Sequence, residues 1–264
     1  MNEKPRGGCV IRSALLAIWK FIKGNKLSTS LILAAAVGIT VAAVSVRQPA
    51  LTVLPLYISL FVGMLSAGAN RYANVIGAAN CLLYTVVNFS FGLYAQALSA
   101  LLLSCPLQII TFIRWNRHAY KNSTKFRALK PWQLLTLIGL SASAYAVIAL
   151  ALNAADSSHP YLDNAMTVLG VVSPMLSLLA FREYAWVQLM VGVVSLVLDS
   201  SIMAENPARI AFFIYSIYSM ICIIRQFFSV RRLWREQQGK TSENTSDEAS
   251  EDMSAGDMPS DGEV

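Results

Sequence analysis

The chain has 264 residues, 55% of them apolar and only 14% charged, with a mean hydropathy of +0.51. So little charge rarely suits a water-soluble domain, and the composition excludes most soluble enzymes and binding modules. The formal net charge of +6 conceals an acidic tail: 241–264 carries eight acidic residues and no basic one, which leaves the rest of the chain at +14.

The first 26 residues form a cytoplasmic, basic and partly amphipathic segment. In it Val10, Ile11, Ala14, Leu15, Ile18, Trp19 and Ile22 share one helical face bordered by Arg12, Lys20 and Lys23. Such a face lies on a membrane surface; a basic tail with partial helix is the alternative. Eight apolar stretches follow, at about 27–46, 51–69, 73–88, 91–113, 132–154, 162–181, 183–203 and 207–229. A bilayer with a hydrocarbon core of about 30 Å needs roughly 20 apolar residues per helix, so each stretch is a candidate span. Seven spans, with 73–113 read differently, is the rival count. Residues 236–264 hold almost no aromatic or branched aliphatic side chain and are expected to be disordered.

Lys and Arg gather in cytoplasmic loops. With eight spans, one side holds 19 basic residues and the other only Arg47 and Arg209. Both termini are therefore expected in the cytoplasm, in a multi-pass protein of the cell membrane. The positive charge flanks spans, so it reads as an orientation signal and a contact for anionic lipid headgroups, not as a nucleic-acid surface. Cys9, Cys81, Cys105 and Cys222 have no metal-ligand spacing, and neither His118 nor His159 has a ligand set nearby. No metal, cofactor or catalytic set is expected, and no phosphate-binding Gly-rich loop points to direct use of ATP.

The chain resembles itself at an offset of about 111. Tyr-Ala-x-Val recurs at Tyr72 and Tyr184, and Ile-x-x-Ile-Arg at Ile110 and Ile221. The repeats are 51–113 and 162–229, joined by a linker helix at 132–154. Three spans plus one linker leave both repeats in the same membrane orientation, related by an axis along the membrane normal. The expected fold is an all-α integral membrane protein: a SWEET-like 3+1+3 helix bundle over 51–235, with one extra N-terminal transmembrane helix at 27–46.

Polar residues inside spans are costly and mark either sites or helix contacts. The substrate-binding candidates are Asn80, Tyr84, Gln108, Trp186, Gln188, Asp199, Tyr215 and Tyr218. Amides bind polar edges, and aromatic rings stack on flat heterocycles. Asp199 lies near a span end, where a carboxylate faces outer water; turned inward, it would select a cationic ring. Trp115, Trp132, Trp234 and Tyr184 read as interfacial anchors. Pro106 and Pro174 interrupt the fourth and sixth spans, as kinks or as hinges.

Gly92-Leu93-Tyr94-Ala95, then Pro106-Leu107-Gln108-Ile109-Ile110 and Arg114-Trp115, resemble a pattern of the PnuC-type nicotinamide riboside transporters. Tyr161-Leu162-Asp163, Phe181-Arg182-Glu183 and Trp186 are similar to that family's sixth span and its entry to the seventh, and Asn80 falls on a family Asn. The chain departs from the pattern at Leu189, where a second Trp is usual, at Gly192 or Val193 in place of an Asn, and at Thr111 in place of a Gly. The resemblance covers about 51–235. It implies the SWEET-like fold, a homotrimer, and facilitated diffusion of an unphosphorylated vitamin precursor that cytoplasmic phosphorylation traps. Thiamine or riboflavin transport within the same family, or a SWEET-type carrier of another solute such as a sugar, are the alternatives.

Overall fold

The computed structural model describes residues 26–90, 100–154, 160–205 and 210–255. The expected surface helix within 1–26 and the residues Tyr94, Gln96 and His159 lie outside them, as do the side chains of Asn88 and Asp163. Within the described residues eight α-helices follow in order: α1 Lys26–Ser45, α2 Ala50–Ala67, α3 Tyr72–Ser90, α4 Cys105–Arg117, α5 Pro131–Ala154, α6 Pro160–Leu178, α7 Tyr184–Glu205 and α8 Ile210–Ala255. Among them Ser28–Ser45, Ala50–Ala67, Tyr184–Glu205 and Ile210–Gly239 are long and apolar enough to cross a bilayer by themselves. The helix α3 is more polar because it carries Asn74, Asn80, Tyr84 and Asn88.

The interruption expected at Pro106 takes a definite form. One π-turn, Ala100–Ser104, precedes α4, and Pro106 then sits in that helix's first turn, where its missing N–H is not needed. Pro174 lies inside α6, and Pro55 lies inside α2.

Six helices close a ring by packing each on the next: α2 on α3, α3 on α4, α4 on α6, α6 on α7, α7 on α8 and α8 back on α2. Exchanging α2, α3, α4 for α6, α7, α8 maps this ring onto itself. Helix α1 packs outside on α2 and α8, while α5 packs on α6. The core of the α1–α2–α8 side is Ile39, Leu56, Leu60, Met64 and Ala211.

The exchange extends to single backbone hydrogen bonds. After α2, Asn70 N–H donates to Leu65 O and Ala69 N–H to Ser66 O; after α6, Phe181 N–H donates to Leu176 O and Ala180 N–H to Ser177 O. Both turns are Schellman caps, offset by 111 residues, and both put an alanine in the left-handed region, with φ 49° at Ala69 and 58° at Ala180. Glycine is the usual residue there because a Cβ is strained at positive φ. Ala69→Gly and Ala180→Gly should therefore each stabilise the protein by about 0.5–1 kcal/mol, read as a raised melting temperature in detergent. A lowered one would show that neither position carries strain.

The last helix of each repeat also ties to the end of the other repeat's first helix. Trp115 Nε1 donates to Ser177 O at 2.8 Å, and Ser229 Oγ donates to Ala67 O at 2.7 Å. This overturns the interfacial reading of Trp115, which is buried against Phe126 and Tyr184. Tyr184 is buried too, its hydroxyl accepting from Gln226 Nε2. These rings are interior because the α4–α5 loop folds beneath them. That loop starts with a hairpin of β1 Ala119–Tyr120 and β2 Ser123–Thr124, and it bonds both caps: Arg71 N–H donates to Asn122 O, Arg127 N–H to Ala180 O, and Arg182 N–H to Arg127 O. Trp132 is exposed, as an interfacial anchor would be.

Disorder is the expectation from 236; α8 runs to Ala255. Its first tail residues are held by the loop: Gln237 bonds Phe126 N–H and Thr124 O, and Glu236 pairs with Lys121 at 2.6 Å and Arg232 at 3.1 Å. The Lys121 ammonium, and then the Arg232 guanidinium, hold the Glu236 carboxyl below its ordinary range. Local polar bonds hold residues 236 and 237 where apolar burial does not.

Candidate substrate site

The polar residues of α3 and α7 occupy equivalent faces. On α3 the face is Gly77, Asn80, Cys81 and Tyr84; at offset 111 on α7 it is Gln188, Val191, Gly192 and Ser195, with Asp199 one turn further. The first face is satisfied by α2 and α4. Asn80 is buried, and its Nδ2 donates to Pro55 O at 3.2 Å and to Ser59 Oγ at 2.8 Å. Its Oδ1 is buried with no hydrogen-bond partner among the described residues. Ser59 is also within hydrogen-bonding reach of Tyr84 and Tyr215, so one hydroxyl joins α2, α3 and α8. Gln108 lies against Gly77 and donates to Cys81 Sγ at 3.2 Å. Any side chain at Gly77 would displace that amide.

The second face meets α6 and α8. Ser173 Oγ donates to Gln188 Oε1 at 2.5 Å. Asp199 Oδ2 accepts from Ser216 Oγ and, at 3.3 Å, from Ser195 Oγ. Asp199 is therefore turned towards α8. Neighbouring residues of α8 serve the two faces: Tyr215 reaches Ser59, while Ser216 reaches Asp199. Tyr218 donates to Leu60 O at 2.5 Å, and its ring lies 6.5 Å from that of Tyr215.

At 1.5 Å rise per residue, Asn80 lies about 12 Å and Tyr84 about 18 Å along α3 from its basic end, and Asp199 about 22 Å along α7. These 12–18 Å are about half of a 30 Å hydrocarbon core, and Asp199 lies nearer the far end of its helix. No Lys or Arg occurs in 48–70, 72–113, 131–181, 183–208 or 210–224.

The structure gathers Asn80, Tyr84, Gln108, Tyr215 and Tyr218 around α2, α3, α4 and α8, and Gln188 and Asp199 around α6, α7 and α8. It leaves out Trp186. That side chain is 58% exposed, on the side of α7 that carries Met190, Val193 and Val197, and its ring packs edge-on against Phe227 at 4.5 Å. Trp186→Ala should leave substrate affinity within about twofold, since surface changes away from a site rarely exceed about 0.5 kcal/mol; a tenfold loss by calorimetry would put the ring back in the site. Sequence reasoning passed over Ser59, Ser173, Ser195 and Ser216. Serine is common where membrane helices pack, so type alone gave no signal.

Residues 49–229 match the family model described as nicotinamide mononucleotide transporter. The chain is 27% identical over 136 residues to the nicotinamide riboside transporter PnuC of Neisseria mucosa, covering 49% of this chain and 52% of that one. It thus spans about half the length of that curated relative. The crystal structure of the vitamin B3 transporter PnuC has a similar fold, with a TM-score of 0.63 and 21% identity, covering 84% of this chain and 98% of that one.

Proposed function

We propose, because the chain belongs to the nicotinamide mononucleotide transporter family, that it carries nicotinamide riboside or a closely related unphosphorylated vitamin precursor across the membrane. The family is one of transporters and not of enzymes, and the protein is a multi-pass helical membrane protein. The family model's name and the curated relative's name differ by one phosphate. The charge of the ring favours the riboside: Asp199 is a carboxylate towards the far end of α7, and Arg225, the one basic residue inside an expected span among the described residues, lies towards the basic end with its Nη1 on Met64 Sδ at 3.7 Å. Asp199 would repel a dianionic phosphate, whereas the pyridinium of the riboside carries the positive charge that Asp199 attracts. Asn80 Oδ1, a buried acceptor without a partner among the described residues, suits the N–H of a carboxamide.

Transport is facilitated diffusion, and phosphorylation after entry prevents return. The closed ring and the paired Schellman caps support two parallel three-helix repeats joined by α5, the 3+1+3 arrangement, with α1 added outside. Alternating access is then a rocking of one repeat against the other. The reading includes a homotrimer in the plasma membrane with both termini cytoplasmic. Calorimetry with purified protein tests the ligand: nicotinamide riboside should bind at least tenfold more tightly than the mononucleotide, thiamine or riboflavin. Preference for the mononucleotide would sink the assignment.

A further inference from the structure

A groove of about 1210 Å³ lies outside the ring, bounded by α5, α6, α7 and α8. Small-molecule sites enclose about 300–1,000 Å³, and this groove is larger and open along its length, so it does not suit a vitamin. Leu137, Ile138, Val168, Val172, Trp186 and Met190 make its walls apolar. Along α5 it extends from Leu134 to Tyr145, and along α6 from Ala165 to Leu176. Either run is about 16 Å long, close to half of a 30 Å hydrocarbon core, the depth of a single leaflet.

Its basic end is not apolar. Arg182, Arg231 and Arg235 rim it, with Trp234 and Gln238 beside them. Arg182 is occupied, paired to Glu183 at 2.9 Å and stacked 4.9 Å over the Trp234 ring, while Glu183 also accepts from Leu129 N–H. Arg231 and Arg235 are exposed, one turn apart on one face of α8, and take part in no ion pair among the described residues. We infer that this groove is a binding site for one anionic phospholipid of the leaflet on the basic side, its acyl chain between α5 and α7 and its phosphate on Arg231 and Arg235. An apolar slot one leaflet deep, ending in two uncompensated guanidinium groups, matches that molecule in length, polarity and charge. The site uses none of the ring's polar residues and does not depend on the identity of the transported solute.

The test reconstitutes the full chain into vesicles containing phosphatidylglycerol or phosphatidylcholine with brominated acyl chains, which quench nearby indoles. Trp186 and Trp234 line the groove and report occupancy. At equal mole fraction, brominated phosphatidylglycerol should quench more than brominated phosphatidylcholine. Each basic residue near a surface contributes about 1 kcal/mol, so the double variant Arg231→Ala, Arg235→Ala should lose roughly thirtyfold in relative affinity for phosphatidylglycerol. The Arg→Lys pair should retain most of it, and solute flux should be unchanged in both. Equal quenching by the two lipids in the unaltered protein would overturn the site. So would an intersubunit disulfide between cysteines introduced at Ser141 and Met190, because a second copy would then cover the groove.

Discussion

Replacing Asp199 by Asn should weaken nicotinamide riboside binding by about 10- to 100-fold while leaving neutral nicotinamide nearly unaffected. The substitution keeps the shape and lets Ser195 and Ser216 remain bonded, so it removes charge with little loss of packing. A charge pair about 5 Å apart at an effective dielectric constant near 20 interacts by about 3 kcal/mol, and screening at the outer mouth reduces this. Calorimetry of the two ligands separates the terms. Equal losses for the cation and the neutral analogue would make Asp199 a structural link between α7 and α8, not a selector.

Asn80→Ala should abolish most transport and also destabilise the protein. Asn80 is 5% exposed, and the change removes both donors, to Pro55 O and Ser59 Oγ. Stranding buried polar groups costs about 1–3 kcal/mol. Loss of the partnerless Oδ1 removes an acceptor for the ligand as well, so affinity should fall about tenfold at temperatures where the variant is still folded. Ser59→Ala keeps that acceptor and should lower the melting temperature with a smaller loss of affinity. If the two variants lose affinity equally, Asn80 acts only by holding α2 to α3.

The spans were legible because lipid demands long apolar runs. The second span, expected at 51–69, is α2 at Ala50–Ala67, and the seventh, expected at 183–203, is α7 at Tyr184–Glu205. The 111-residue repeat left two short matches in the sequence, yet the structure repeats an entire cap at that offset. The sequence hid the cap because the left-handed positions hold Ala69 and Ala180, and alanine does not announce positive φ as glycine does. The bonds from Glu236 and Gln237 to the α4–α5 loop were not legible, because they join residues more than 100 positions apart.

Site residues were legible by type but not by direction. Asn80 and Trp186 are both unusual in a span, and only one faces the ring. In water an amphipathic pattern says which face is inside; in lipid the outer face is apolar too, as Met190, Val193 and Val197 show beside Trp186. The charged residue was harder still. Asp199 near a span end suits outer water, and only the positions of Ser195 and Ser216 turn it towards α8.

The central claim is passive movement of an unphosphorylated cationic nucleoside. Proteoliposomes containing the full chain, with labelled nicotinamide riboside outside, test it most directly. The predicted result is uptake that stops at equal concentration inside and out, is unchanged by imposed proton or sodium gradients, and becomes accumulation only when a riboside kinase and ATP are enclosed. Uphill uptake driven by either gradient, or faster entry of the mononucleotide than of the riboside, would contradict it.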